Sequence, residues 1–154
     1  MTFDRAKSIK EHWENPDTVS LQDENLRSLE TKAILKRLPA GKRVLDVGCG
    51  DGVNTLEYAR TSEFVLGIDY SDQMIGRANT RLDQSELKNI EFRHLPVQEL
   101  DTLPNDFDVV ITQRCLINLT DIEEQRQIME AIQRRLKPGG RYLMLECLAE
   151  GLDR

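Results

Sequence analysis

Apolar residues recur along this chain in two spacings, one typical of buried strands and one typical of helices with a single buried face. Short apolar runs bounded by glycine and polar residues predict five strands, over residues 43–47, 65–68, 90–93, 109–112 and 141–146. The runs are apolar on both faces, which is the pattern of a parallel sheet covered on both sides.

Helical spacing fills the segments between these strands. Asp23 as a cap and Pro39 as a stop bound a first predicted helix. Its apolar positions, at steps of three and four, are Leu26, Leu29, Ala33, Ile34 and Leu38. Further helices are predicted over residues 53–60, 72–82 and 121–136. Strands and helices therefore alternate through most of the chain.

The last predicted helix has the clearest end signals. Thr120 and Glu123 match a capping box at its start, and Pro138-Gly139-Gly140 predicts its end. Residues 95–106, which lie between the third and fourth predicted strands, predict a loop with one helical turn.

This alternation indicates an α/β fold, with a doubly wound, mostly parallel Rossmann-like sheet of about five strands and helices on both faces. Residues 1–20 show weak periodicity, so we expect them to form an N-terminal arm or lid. The core is predicted to span residues 21–154.

The composition describes one acidic domain without a membrane segment. Of the 154 residues 39% are hydrophobic, and 21 basic against 27 acidic side chains give a net charge of −6. No apolar run approaches the roughly 18 residues of a spanning helix, and the acidic balance disfavours nucleic-acid binding. The N-terminus does not match a secretory signal. Because the cysteines, at 49, 115 and 147, have no metal-ligand spacing, we expect a cytoplasmic protein with reduced thiols and no bound metal.

The strongest chemical signal is a glycine-rich turn between the first predicted strand and the helix that follows it. Gly48, Gly50 and Gly52 stand at alternate positions in this turn. Glycine allows positive φ and lets a ligand approach bare backbone, while the helix N-terminus offers N–H groups to an anion. A tight turn that binds nothing is the alternative interpretation.

An acidic residue ends the second predicted strand. Asp69 lies 23 residues after Asp46, where a carboxylate can accept both hydrogen bonds from a ribose diol. Capping of the following helix is the competing role, although Ser71 is also a suitable cap.

Four segments together resemble the class I S-adenosylmethionine-dependent methyltransferases. They are Asp46-Val47-Gly48-Cys49-Gly50-Asp51-Gly52, Gly67-Ile68-Asp69-Tyr70-Ser71 with Met74, Phe107-Asp108-Val109-Val110, and Leu136-Lys137-Pro138-Gly139-Gly140-Arg141. Their order and spacing are those of the family, over about residues 30–147. The GxGxG spacing differs from the GxGxxG of NAD-binding turns and disfavours a dehydrogenase.

The resemblance implies S-adenosyl-L-methionine as cofactor and a small molecule as methyl acceptor. On this resemblance Asp46 helps to hold the ammonium group of the cofactor tail, Asp69 binds the ribose hydroxyls and Tyr70 packs on the adenine. Further cofactor-binding residues, with Cys49 as a small filler, are Gly48, Cys49, Gly50 and Met74.

Two later loops complete the implied site. Many relatives carry an acid after strand three, where this chain has Pro96, so the adenine contacts are expected from the Val97 backbone and the Gln98 side chain. After strand four, Gln113 is expected beside the methionine part of the cofactor. The residues expected to face the acceptor are Arg114, Asn118 and Trp13. Hydrophobic capping of the first helix is the other interpretation of Trp13.

Methyl transfer from a sulfonium is an in-line displacement, so it depends on alignment and a dry pocket more than on proton transfer. Orientation alone can lower such a barrier by about 7 to 11 kcal/mol. A general base is needed only for an acceptor that arrives protonated. The candidates are His94, His12 and Glu146, with a structural loop histidine and an exposed strand-end acid as alternatives for His94 and Glu146. The acceptor atom is left open.

Members of this family usually add two strands beside strand five. The sequence ends eight residues after Glu146, so we expect strands six and seven to be absent and strand five to be an exposed edge that permits association. The alternative function is therefore a non-catalytic cofactor-binding module, or one completed by a partner.

Overall fold

Five parallel strands form one sheet in the computed structural model, which describes residues 5–15, 17–18 and 23–146. The strands are β1 (Arg43–Val47), β2 (Phe64–Asp69), β3 (Ile90–His94), β4 (Phe107–Gln113) and β5 (Leu136–Leu145). Their order across the sheet is β3-β2-β1-β4-β5, and each neighbouring pair is parallel. The predicted α/β fold class is confirmed.

Two helices precede the sheet, and helices or short 3-10 segments connect its strands. The helices are α1 (Arg5–Glu14), α2 (Glu24–Leu35), α3 (Val53–Ala59), α4 (Asp72–Asp83) and α5 (Ile122–Arg135), with short 3-10 segments at Val97–Thr102 and Leu116–Asn118. Asp23 caps α2 as predicted, since its side chain accepts a hydrogen bond from the Leu26 N–H at 3.0 Å. Among the described residues, no helix is long and apolar enough to cross a membrane.

The sheet separates two apolar cores because successive strand side chains point to opposite faces. On β1, Leu45 and Val47 belong to the core under α5, whereas Val44 belongs to the core under the other helices. The α5 side contains Ile128, Ala131 and Ile132, and the opposite side contains Ile34, Tyr58 and Ala78. Both faces of the sheet are thus covered, as the apolar strand pattern predicts.

Two details of α5 and β5 differ from the sequence predictions. The capping box of Thr120 and Glu123 is wrong, because Asp121 is the cap and accepts a hydrogen bond from the Glu123 N–H at 2.8 Å. The helix ends at Arg135, within one residue of the prediction, but the predicted start of the last strand at residue 141 is wrong, since β5 begins at Leu136. A register shift against β4 accommodates the proline and glycines inside the strand.

The N-terminal segment includes a helix where the sequence has weak periodicity. Helix α1 packs on α4, and the Ser71 hydroxyl donates a hydrogen bond to the Trp13 carbonyl at 3.0 Å. The Arg77 guanidinium donates to the Thr18 carbonyl. Residues 1–4, 16 and 19–20 of the predicted arm lie outside the described residues, as do residues 21–22 and Cys147. The division into an arm and a core at residue 20 stays a prediction.

We expect Gly52→Ala to lower the free energy of unfolding by about 2 kcal/mol or more. Gly52 has a φ of 76°, and an added Cβ would lie 2.6 Å from the Phe92 ring and 2.9 Å from the Ala78 Cβ. Gly76→Ala is the matched control, because Gly76 lies in the exposed middle of α4 with no atom within 4 Å of an added Cβ. That change should raise stability by about 0.5 to 1 kcal/mol. Urea unfolding followed by circular dichroism measures both, and equal stabilities of the two variants would contradict the packing.

Candidate functional site

A cavity of about 700 Å³ opens at the carboxyl ends of the strands. From β1 the chain continues to β2 and β3 on one side of the sheet, and β4 and β5 lie on the other side of β1. The cavity therefore occupies the point where the strand order reverses. Most of the site residues predicted from the sequence line it together: Trp13, Asp46, Gly48, Cys49, Gly50, Asp69, Tyr70, His94, Val97, Gln98, Gln113, Arg114 and Asn118. Met74, His12 and Glu146 are not among the lining residues.

The glycine-rich turn after β1 folds back onto β2. The backbone N–H groups of Gly48 and Cys49 both donate to the Ile68 carbonyl, at 2.8 and 2.9 Å. Gly48 has a φ of 74°, and an added Cβ would lie 2.7 Å from the Cys115 Sγ. Only glycine satisfies both the left-handed backbone and this close approach. The turn is therefore packed against β2 and against the loop after β4.

Asp69 ties the turn to the end of β2. Its carboxylate accepts hydrogen bonds from the Gly50 N–H and the Ser71 N–H, each at 2.9 Å. Ser71 caps α4 as predicted, through a 3.2 Å bond from the Met74 N–H. Burial raises the pKa of Asp69, and the backbone N–H groups oppose that rise. Each oxygen of this ordered carboxylate keeps lone pairs for a ligand.

Asp46 is a buried acid in the wall of the cavity, with 3% of its surface exposed. The Thr55 hydroxyl donates to it at 2.7 Å. Burial raises the pKa of Asp46 to about 7, and the negative charge of Asp69 adds to this rise. The carboxyl group therefore changes its charge near neutral pH, and a cation placed beside it would stabilise its ionised form.

Gln113 ends β4 and is held on three sides. Its side-chain oxygen accepts from the Asn54 amide at 3.0 Å and from the Tyr58 hydroxyl at 2.8 Å. Its amide nitrogen donates to Glu30 at 2.9 Å. Glu30 and Asn54 were not predicted, because their importance depends on the packing of α2 and α3 beside β4.

Arg114 has a φ of 54°, the only positive φ of a non-glycine residue among the described residues. Several contacts hold it in this left-handed conformation. The Arg114 guanidinium binds the Glu30 carboxylate, with the shortest contact at 2.5 Å. The Arg114 backbone N–H donates to the Leu145 carbonyl at 2.8 Å. The Asn118 amide donates to the Arg114 carbonyl at 2.9 Å. This part of the cavity wall is therefore held to α2 by an ion pair and to β5 by a backbone hydrogen bond.

Glu146, a candidate general base in the sequence, binds backbone of the loop after β4 and does not line the cavity. Its two carboxylate oxygens accept the backbone N–H groups of Cys115, Leu116 and Ile117 at 3.1 to 3.2 Å. Glu146 therefore anchors the loop after β4 from behind the cavity.

The histidines and Met74 also occupy defined positions. The Nε2 atom of His94 lies 2.7 Å from the Tyr70 carbonyl, so it donates its hydrogen there, and the Nδ1 atom lies 3.6 Å from Asp72. His12 contacts the edge of the Trp13 ring. Met74 is only 1% exposed and belongs to the buried core.

Cys49 and Cys115 are free thiols in the cavity wall. Burial and the surrounding carboxylates raise the pKa of both thiols above the usual value. Because the thiolate is the reactive form, both side chains are poor nucleophiles at neutral pH. This agrees with the interpretation of Cys49 as a small filler.

The sequence matches a family model described as a methyltransferase domain, over residues 38–152. The chain is 37% identical over 102 residues to a ubiquinone biosynthesis O-methyltransferase of Acinetobacter baylyi, which covers 66% of this chain and 42% of that protein. The protein of the same name from Dechloromonas aromatica is 31% identical over 144 residues, which covers 92% of this chain and 60% of that protein. The chain thus spans about half the length of these curated relatives.

The fold is also similar to a solved structure of phosphoethanolamine N-methyltransferase 1 from Haemonchus contortus. The TM-score is 0.81 with 26% sequence identity, over 96% of this chain and 33% of that one. That protein was solved in complex with phosphoethanolamine and S-adenosylhomocysteine.

We expect Asp46→Asn to stabilise the protein, and the effect should increase as pH rises from about 4 to 7. The folded-state pKa of about 7 exceeds the unfolded value of 3.8, so the folded protein binds the proton more tightly and loses stability as pH rises between these values. At pH 5 the variant should already be more stable by about 2 kcal/mol, because the acid is ionised in the unfolded chain there, whereas asparagine mimics the protonated acid and still accepts from Thr55. At pH 8 the variant should be more stable by up to about 4 kcal/mol. Urea unfolding at both pH values measures this, and a difference independent of pH would contradict the buried titration.

Proposed function

Because the chain belongs to the class I S-adenosylmethionine-dependent methyltransferase family, we propose that it binds S-adenosyl-L-methionine and transfers the methyl group to a small-molecule acceptor. The family match over residues 38–152 confirms the resemblance indicated by the sequence motifs. The observation that carries the proposal is the Asp69 carboxylate, fixed between two backbone N–H groups beside a left-handed glycine turn in the cavity wall.

The residues of the cavity suit this cofactor. A volume of about 700 Å³ lies in the range of small-molecule sites. The cofactor carries an ammonium group in its tail and a diol in its ribose, and the cavity offers Asp46 for the first and Asp69 for the second. The Gly48 and Gly50 backbones lie between these acids and allow close approach. Tyr70 supplies an aromatic face beside Asp69 for the base.

The chemistry supplied by the bound cofactor is an electrophilic methyl group on a sulfonium. The chain's own task is to align the acceptor and to exclude water. Gln113 holds a fixed position beside the tail because Asn54, Tyr58 and Glu30 restrain its amide. The loop after β4 carries Arg114 and Asn118 in the cavity wall, and Glu146 anchors this loop by accepting three of its backbone N–H groups. Trp13 of α1 adds an apolar surface to the same cavity.

We propose an oxygen atom of a small molecule as the acceptor, because relatives at 31% and 37% identity are named O-methyltransferases. A hydroxyl acceptor loses a proton during transfer, and His94 is the imidazole in the cavity wall. The base role of His94 stays a prediction, since its Nε2 faces the Tyr70 carbonyl. Cytoplasmic location and association through β5 also stay predictions.

The cofactor proposal is tested with S-adenosylhomocysteine as the probe. We expect isothermal titration calorimetry to show saturable binding to the wild-type chain and at least tenfold weaker binding to Asp69→Asn. The reason is that the change removes charge-assisted hydrogen bonds to the ribose diol. Asp72→Asn is the control, because its side chain is 80% exposed and Asp72 lies outside the cavity wall. Equal affinities of all three proteins would refute the ribose role, and no binding to wild type would refute the proposal itself.

Methyl transfer is tested separately. Single-turnover incubation of the chain with labelled S-adenosyl-L-methionine and a panel of phenols and amines should yield a methylated phenol. Cofactor binding without any transfer would instead support the non-catalytic or partner-completed module.

A further inference from the structure

An amide and a carboxylate from different elements meet at one end of the cavity. The Gln98 Nε2 atom donates a hydrogen bond to the Glu124 Oε1 atom at 2.7 Å, and both residues line the cavity. Gln98 belongs to the 3-10 segment after β3, and Glu124 belongs to the first turn of α5. Sequence analysis selected Gln98 but not Glu124.

The strand order identifies which part of the cofactor reaches this pair. The proposed tail residues are Asp46, one residue before the end of β1, and Gln113, the last residue of β4, and the proposed ribose residue Asp69 is the last of β2. Because β3 lies beyond β2 on the side away from β4, the site continues from the ribose toward the end of β3. The base of the cofactor therefore lies beside the loop that carries Gln98.

Packing of the 3-10 segment on α5 fixes the pair. Leu100 and Leu103 share the buried core with Ile128 and Ile132 of α5. Farther along the same interface, the Arg134 guanidinium binds both carboxylate oxygens of Asp101, at 3.0 and 2.8 Å. The hydrogen bond between Gln98 and Glu124 thus extends an interface that is already ordered.

The hydrogen-bond chemistry of the pair selects a donor ligand. A carboxylate only accepts, so the amide nitrogen of Gln98 must face Glu124, and the amide oxygen of Gln98 is left as an acceptor. The pair then presents two kinds of acceptor oxygen close together, one of them charged. The amino group on C6 of adenine has two hydrogens to donate.

We propose that Gln98 and Glu124 together recognise the exocyclic amino group of the cofactor's adenine, with Glu124 as the residue that determines specificity for adenine. This inference rests on the proposed function and deepens it. The acid that the loop after β3 lacks at Pro96 is supplied by α5.

S-Inosyl-L-homocysteine is the discriminating probe, because it carries a carbonyl oxygen where S-adenosylhomocysteine has the amino group. That oxygen accepts, so it meets the Glu124 carboxylate unfavourably. A glutamine at position 124 can donate to the same oxygen. Glu124→Gln should therefore weaken binding of S-adenosylhomocysteine and strengthen binding of the inosyl analogue.

The experiment measures the dissociation constants of both ligands by calorimetry. We expect wild type to prefer S-adenosylhomocysteine by at least tenfold, and Glu124→Gln to reduce the ratio of the two constants by at least tenfold. Glu123→Gln is the matched control, since Glu123 lies in the same helical turn but outside the cavity wall and pairs with Arg126. It should leave the ratio unchanged. Gln98→Met, which removes the second acceptor, should reduce the ratio as well.

The outcomes separate this inference from the proposed function. Binding of S-adenosylhomocysteine with an unchanged ratio in Glu124→Gln overturns the adenine role and leaves the proposed function intact. An equal loss of affinity for both ligands also overturns it, because that result assigns Glu124 a purely structural role. Absence of binding to the wild-type chain refutes the proposed function and this inference together.

Discussion

Parallel pairing of β1 with β2 on one side and β4 on the other is the constraint on which the site depends. It brings the carboxyl ends of these strands to one edge and sends the chain away in opposite directions across the sheet. The glycine turn, the Asp69 loop and the loop after β4 consequently surround a single cavity. Because backbone pairing holds the strands together, the side chains of these loops are available to bind a ligand.

Buried and half-buried carboxylates then order these loops. Asp69 accepts two backbone N–H groups, Glu146 accepts three, and Glu30 binds the guanidinium of Arg114. Asp69 and Glu146 thereby satisfy backbone donors that the loop conformation leaves without a helical or strand partner, whereas Glu30 pairs with a charged side chain. Asp46 differs, because it accepts a hydrogen bond from the Thr55 hydroxyl and from no backbone N–H group that the structure shows. Burial raises its pKa to about 7. An acid with so little compensation is suited to a cationic ligand group.

The fold was predictable because apolar periodicity reports burial, and burial sets the positions of strands and helices. The positions of Asp69 and the glycine turn were predictable because each directly follows a predicted strand, which places it at the carboxyl edge of the sheet. The contacts of Glu30, Glu124 and Glu146 were not predictable, since their partners lie 84, 26 and 31 positions away. The continuous β5 was also missed, because a proline-glycine-glycine run is typical of a stop and only pairing with β4 shows that a bulge absorbs it.

Trp13 gives the protein a built-in optical reporter. It is the single tryptophan of the chain, and it lies in the cavity wall with its carbonyl bonded to Ser71 beside Asp69. Indole emission changes in wavelength and intensity when water beside the ring is replaced by a ligand. The occupancy of the cavity is therefore coupled to the intrinsic fluorescence of the unlabelled protein, and the rates of filling and emptying can be followed in real time.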